Sequence, residues 1–284
     1  MWKAVDAQGQ MFSLVYSKKM GKKLDGKHGL SIAHRYSFMN GNTTSKKNST
    51  FINIVTIPES DGSDDVLKSI QSPKEIKLPF QITPRFDMIE RILICGQSGS
   101  GKSTIASNWI KDYLSIKERD VFLLSRVEED KPLDDIKLLQ RVDLKEFSVA
   151  PEEFAISGLA SEDFKDSIVI LDDIDTIADK KTLNNVLHLR DDMLETGRHS
   201  CITMLCITHV LFQNKNSKKP LNEATGVVLF PRSGSKYHIR RYLKEYCGLD
   251  EKQITKIMNL SSRYFYISRT YPNYVISEKE IFLL

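Results

Sequence analysis

The sequence has no run approaching the roughly 20 apolar residues that an α-helix needs to cross a bilayer. Met1 to Gln10 has no apolar core of the kind a secretory signal carries, so an intracellular protein with no membrane partner is expected. Cysteine is scarce: Cys95, Cys201, Cys206 and Cys247 form no Cys-x-x-Cys pair. The first three lie in apolar, strand-like segments where a small buried thiol is the usual reading, so neither zinc nor a disulfide is expected. The sequons at Asn42 and Asn48 have nothing secretory around them and read as chance. No internal repeat is visible. With 40% hydrophobic and 27% charged residues, the 284-residue chain can build one substantial core and a small second module.

The net charge of +4 conceals an uneven distribution. Residues 1–50 hold nine of the 41 Lys and Arg but only two of the 37 Asp and Glu. Lys18, Lys19, Lys22, Lys23, Lys27, Arg35, Lys46 and Lys47 suit nucleic acid or an acidic partner, and equally a solvated segment. Met11–Tyr16, Leu30–Phe38 and Phe51–Ile57 read as strands between Gly, Asn, Ser and Lys clusters. Pro58, Pro73, Pro79 and Pro84 then mark an extended connection. A basic, β-rich N-terminal module with its linker is therefore expected over residues 1–84, and a second domain over 85–284.

In that second part, short apolar runs alternate with helical periodicity, the pattern of an α/β domain with a central, mainly parallel sheet flanked by helices. Its most specific feature is Gly96-Gln97-Ser98-Gly99-Ser100-Gly101-Lys102-Ser103, a full Gly-x-x-x-x-Gly-Lys-Ser phosphate loop. The apolar run Arg91–Cys95 reads as the strand before it and Thr104–Leu114 as the helix after it, which is the setting this motif requires. The glycines let successive amides point into one concavity at a helix N-terminus, suited to a polyphosphate. Gly96 to Thr104 are the expected nucleotide-binding residues, with Lys102 reaching the β and γ phosphates of ATP and Ser103 holding Mg²⁺.

Val121–Ser125 reads as the next strand, Glu128–Asp135 as an exposed acidic excursion, and a weaker strand is expected near Arg141–Leu144. Ser167–Asp173 is a strand ending in two carboxylates, Lys181–Glu195 a helix ended by Gly197, and Cys201–His209 another central strand. In an open parallel sheet, ligands bind beyond the carboxyl ends of the strands, so Gly96, Asp172, Asp173, Thr208 and His209 should converge. Asp172 fits the Walker B position that orients Mg²⁺. Asp173 follows where ATPases place the carboxylate that orients the attacking water, one methylene shorter than the usual glutamate. His209 fits a sensor of the γ phosphate or a structural strand-end histidine. Arg198 suits an arginine finger offered to a neighbour's nucleotide, or a surface cation near a helix C-terminus.

The phosphate loop, the Ile-Leu-Asp-Asp strand end, and Gly197-Arg198-His199 before a strand ending Ile207-Thr208-His209 together resemble the genome-packaging ATPases of large eukaryotic DNA viruses, a branch of the FtsK/HerA superfamily. The resemblance covers roughly residues 85–284. It implies a RecA-like core, ATP with Mg²⁺, a homo-oligomeric ring that is typically hexameric, and translocation of double-stranded DNA into a preformed capsid. Capsid or portal-vertex proteins would be partners, and the host cytoplasm and the virion the sites of action. His209 stands where glutamine is common in the wider superfamily. DNA contacts are expected from Lys215, Lys218 and Lys219, and from Arg232, Lys236, Arg240, Arg241 and Lys244 on a later helix. A nucleotide-dependent assembly scaffold and a nucleoside or nucleotide kinase are the competing readings.

Overall fold

The computed structural model describes residues 83–85, 88–115, 117–212, 215–270, 273–278 and 280–283, and the strands Trp2–Val5, Met11–Ser17, Ile52–Thr56 and Glu75–Ile76. The basic residues from Lys18 to Lys47, the expected strand Leu30–Phe38, both sequons, and Pro58, Pro73 and Pro79 lie outside the described residues. The chain divides into two compact units, one of Met1–Phe86 with Leu243–Leu284 and one of Asp87–Tyr242.

The first unit contains β1 (Trp2–Val5), β2 (Met11–Ser17), β3 (Ile52–Thr56) and β4 (Glu75–Ile76) from the front of the chain. The second contains β5 (Arg91–Cys95), α1 (Lys102–Leu114), β6 (Val121–Ser125), α2 (Lys131–Asp134), β7 (Leu139–Arg141), α3 (Pro151–Ser157), β8 (Ile168–Asp172), α4 (Lys180–Thr196), β9 (Thr203–Thr208), α5 (Lys218–Glu223) and β10 (Gly226–Leu229). The unit boundary falls within α6 (Lys236–Glu245). The first unit is completed by α7 (Glu251–Met258), β11 (Phe265–Ser268), β12 (Tyr274–Ser277) and β13 (Glu280–Leu283).

In the second unit six strands run in the order β10-β5-β9-β8-β6-β7, every neighbouring pair parallel. Burial explains the sequence pattern: Ile168 to Leu171 are each no more than 1% exposed, and Ile92 to Cys95 are buried throughout, as strands covered on both faces must be. Helix α1 buries Ala106, Trp109, Ile110 and Tyr113, the i, i+3, i+4, i+7 stripe of an amphipathic helix, with Trp109 stacked on Tyr113. Helix α4 begins at an Asp179 cap that accepts from the Thr182 amide at 2.8 Å and ends at Gly197, where a Cβ would lie 2.3 Å from the Met193 carbonyl oxygen.

Two local expectations are corrected. The weak strand lies at Leu139–Arg141, not Arg141–Leu144, because Asp143 accepts from the Lys145 amide and caps a 3₁₀ turn over Leu144–Phe147. Cys201 lies exposed in the turn before β9 with a left-handed backbone, while Cys95 and Cys206 are buried.

In the first unit, β1 pairs with β2 antiparallel and, across almost the whole length of the chain, with β13 in parallel. β2, β3 and β4 continue antiparallel on one side, and β13, β12 and β11 on the other.

Candidate nucleotide site

The phosphate loop leaves the end of β5 with the Gly96 amide donating to the Thr208 carbonyl oxygen at 3.2 Å, which ties it to the end of the neighbouring strand β9. Gly99 and Gly101 have φ of 73° and 100°, conformations natural only to glycine, and the turn between them closes through Ser100 N to Gln97 O at 3.1 Å. Gly96 is required by space: a Cβ there would sit 2.5 Å from Phe230 Cδ2 and 2.6 Å from Ser100 Oγ. No side chain caps the start of α1, so its first amides face the loop's concavity. A cleft of about 350 Å³ opens beside the loop, lined by Gly96, Gln97, Ser98, His209, Ser235 and His238 among others.

Lys102 is buried, 7% exposed, and its Nζ donates to the Gln97 carbonyl oxygen at 3.3 Å and lies 3.2 Å from Nδ1 of His209. The other ring nitrogen of His209, Nε2, is 2.7 Å from Asp173 Oδ2. Lysine only donates, so Nδ1 must accept; a neutral imidazole then carries its proton on Nε2 and donates it to Asp173. Asp173 takes a left-handed backbone, φ 47°, anchored by its amide to the Ile207 carbonyl oxygen at 3.1 Å. Its second oxygen, Oδ1, is buried without a partner, as is Ser100 Oγ in the loop opposite.

Asp172, the last residue of β8, is 4% exposed and accepts from Ser125 Oγ at 3.0 Å. Burial, and next the charge of Asp173, push its carboxyl up to about 6, against the stabilising hydroxyl of Ser125. Asp130 and Lys102 act on it as well, in opposite directions. Ser103 Oγ donates to Asp130 Oδ2 at 2.7 Å. Ser103, Asp130 and Asp172 are oxygen donors of the kind that suit Mg²⁺, and Asp173 Oδ1 and Ser100 Oγ are buried oxygens that lack protein partners.

Gly96, Lys102, Asp172, Asp173, Thr208 and His209 therefore lie together at the carboxyl edge of the sheet. Thr104 is exposed on the first turn of α1. Arg198 does not join them: it is exposed before β9, at the opposite edge, near Arg91 at the start of β5, whose pKa is lowered by burial and, to a lesser degree, by the charge of Arg198. Of the expected DNA-contacting lysines, Lys219 is engaged by Glu195 at 2.5 Å and Asp191 at 3.9 Å, and Lys218 is exposed. Lys215 lies on a 3₁₀ turn and its side chain is outside the described residues. On α6, Arg241 stacks over the Phe212 ring at 4.6 Å and Lys244 pairs with Glu251, while Lys236 is exposed. Sequence reasoning missed Ser125 and Asp130. The signal for Asp130 was present in Asp130-Lys131-Pro132, a capping residue followed by proline in a first helical turn.

The sheet and its loop define the class: an α/β protein with the P-loop NTPase fold. No family model matches the chain. It is 37% identical, over 193 residues spanning 66% of this chain and 75% of the relative, to the uncharacterized protein V3 of the Sputnik virophage. The chain belongs to the family of that virophage protein. Among solved structures, it is similar to the genome packaging NTPase B204 from Sulfolobus turreted icosahedral virus 2 in complex with sulfate, with a TM-score of 0.45 and 13% identity over 66% of this chain and 96% of that one. It is similar also to the pCW3 conjugation coupling protein TcpA with ATPγS, with a TM-score of 0.41 and 13% identity over 69% and 61%. Among the described residues, no helix is long and apolar enough to cross a membrane.

Proposed function

We propose that this protein is an ATP-driven translocase of double-stranded DNA that packages a viral genome into a preformed capsid, acting as a homo-oligomeric ring. The observation that carries the reading is the convergence of the phosphate loop, Asp172, and the Lys102–His209–Asp173 chain on one sheet edge. Its support beyond the site is the packaging-type motif set and a relative encoded by a virophage.

In this reading the loop amides hold the polyphosphate, and Lys102 exchanges its bond to His209 for the phosphates. Ser103 and Asp172 would hold Mg²⁺, which would supply charge neutralisation on the transferred phosphoryl group. Asp173 orients a water whose oxygen attacks the γ phosphorus; the bond to the bridging oxygen breaks, ADP leaves, and the water's proton passes to the carboxylate. His209 fixes Asp173 and reports through its other nitrogen whether Lys102 has moved. Arg198 lies far from its own loop, so it serves a neighbouring subunit's nucleotide, which makes turnover depend on the ring. Exposed Lys218 and Lys236 meet DNA phosphates, and the capsid vertex and host cytoplasm are where such a ring works.

The experiment is ATP turnover by the purified protein with and without linear double-stranded DNA, beside Lys102→Ala. Stimulation by DNA that the variant lacks supports the motor. Slow, DNA-indifferent turnover with ATP-dependent change in oligomeric size would favour an assembly scaffold, the second reading, which the short Asp173 side chain keeps in play.

A further inference from the structure

We infer that Asp130 is a positioning residue of the cation site, the acceptor that holds the Ser103 hydroxyl and a second carboxylate facing a divalent metal. The inference rests on the nucleotide-site reading above. A serine hydroxyl that gives a lone pair to a cation keeps its proton, and that proton needs an acceptor. In this protein the acceptor is Asp130 Oδ2, 2.7 Å from Ser103 Oγ. Asp172 Oδ2, the strand-end carboxylate of the motif, accepts from Ser125 Oγ instead.

The carboxylate is held in place without help from a ligand. Asp130 caps α2, its Oδ1 accepting from the Leu133 amide at 3.3 Å, while its own amide donates to Asp134 Oδ2 at 2.7 Å. Asp134 Oδ1 is gripped by the Arg141 fork, Nε at 3.1 Å and Nη2 at 2.7 Å, and Arg141 Nη1 donates to the Val127 carbonyl oxygen at 2.7 Å. Asp130 therefore uses one oxygen for the helix and offers the other to the phosphate loop. The excursion between β6 and β7 is a preformed wall of the site. Its chemistry selects a small, hard divalent cation carried with a nucleotide, because the added negative charge attracts the metal and repels a metal-free polyphosphate.

The test is Asp130→Asn, which removes the charge and keeps a side chain that caps helices equally well. Free Mn²⁺ is followed by electron paramagnetic resonance during titration of the protein with ADP, and ADP affinity is measured separately in EDTA. The expected result is Mn²⁺ affinity weakened about tenfold, with ADP affinity in EDTA unchanged or tighter and the thermal midpoint unmoved. Equal Mn²⁺ affinity in wild type and variant overturns the inference and leaves the nucleotide reading intact. A wild type that binds no ADP under either condition overturns both. In a Ser103→Ala background, Asp130→Asn should cost little further Mn²⁺ affinity, since the two act as a unit. Losses that multiply independently refute the pairing even where Asp130→Asn alone weakens binding.

Discussion

Nζ of Lys102 lies 3.2 Å from Nδ1 of His209, so the lysine expected to grip the phosphates is bonded to the residue expected to sense them. Through Nε2 the same ring reaches Asp173 at 2.7 Å. One imidazole thus bridges Lys102 and Asp173, and in the proposed function it links nucleotide binding to water activation. Replacement of His209 by Ala should lower kcat for ATP by about 10²-fold, the usual effect of removing one preorganised group, with ADP affinity little changed. Steady-state turnover and ADP titration separate the two; a loss confined to affinity assigns His209 to binding alone.

Asp172 titrates in the opposite sense to a salt-bridged aspartate. Its carboxyl is raised to about 6, so ionisation in the folded state costs stability. The cost is absent well below pH 4, grows as pH rises from the ordinary aspartate value to about 6, and is complete above that. From the shift it amounts to about 3 kcal/mol at most. Asp172→Asn should therefore raise the thermal midpoint more at pH 8 than at pH 5, measured without nucleotide. An equal gain at both pH values contradicts the burial argument.

At Gly96 the conflict is steric. The Cβ of Gly96→Ala would lie 2.5 Å from the ring of Phe230, itself 2% exposed and unable to yield. Overpacking of this kind costs about 1–3 kcal/mol, a fall in the thermal midpoint of several degrees. Gly96→Ala with Phe230→Leu should recover part of it, and no recovery would locate the strain elsewhere.

Lys218 and Lys219 are adjacent in sequence and differ in their surroundings. Lys219 is held by Glu195 at 2.5 Å, with the pair about half exposed, and Lys218 is free on the surface. Lys218→Ala should reduce the salt slope of DNA binding by about one, and Lys219→Ala should leave it nearly unchanged. Equal slopes for both variants would mean that DNA displaces Glu195.

The parts of this protein that were legible in sequence are those governed by local chemistry. Arg91–Cys95 and Val121–Ser125 read as strands because a strand covered on both faces is an uninterrupted apolar run, and Gly99 and Gly101 announce backbone that only glycine takes up. Long-range pairing leaves no such trace: nothing in Trp2–Val5 indicates that its parallel partner is Glu280–Leu283. Asp130 showed its capping role in Asp130-Lys131-Pro132 but not its place in the site. Among Glu128, Glu129, Asp134 and Asp135 it looks like one more solvated charge, and only the Arg141 fork and the cap of α2 single out the carboxylate that faces Ser103. The position of Arg198 at the far edge, by contrast, was legible, because a residue just ahead of β9 lies at the opposite end of a parallel strand from the phosphate loop.

The central claim is that ATP turnover at this site moves double-stranded DNA. A third strand bound at one end of a linear duplex, with its release followed over time, tests that directly. Expected are ATP-dependent release by the wild type, none by Lys102→Ala, and none by either protein when ATP is replaced by a non-hydrolysable analogue. Turnover of ATP by the wild type with the third strand left in place would contradict the claim.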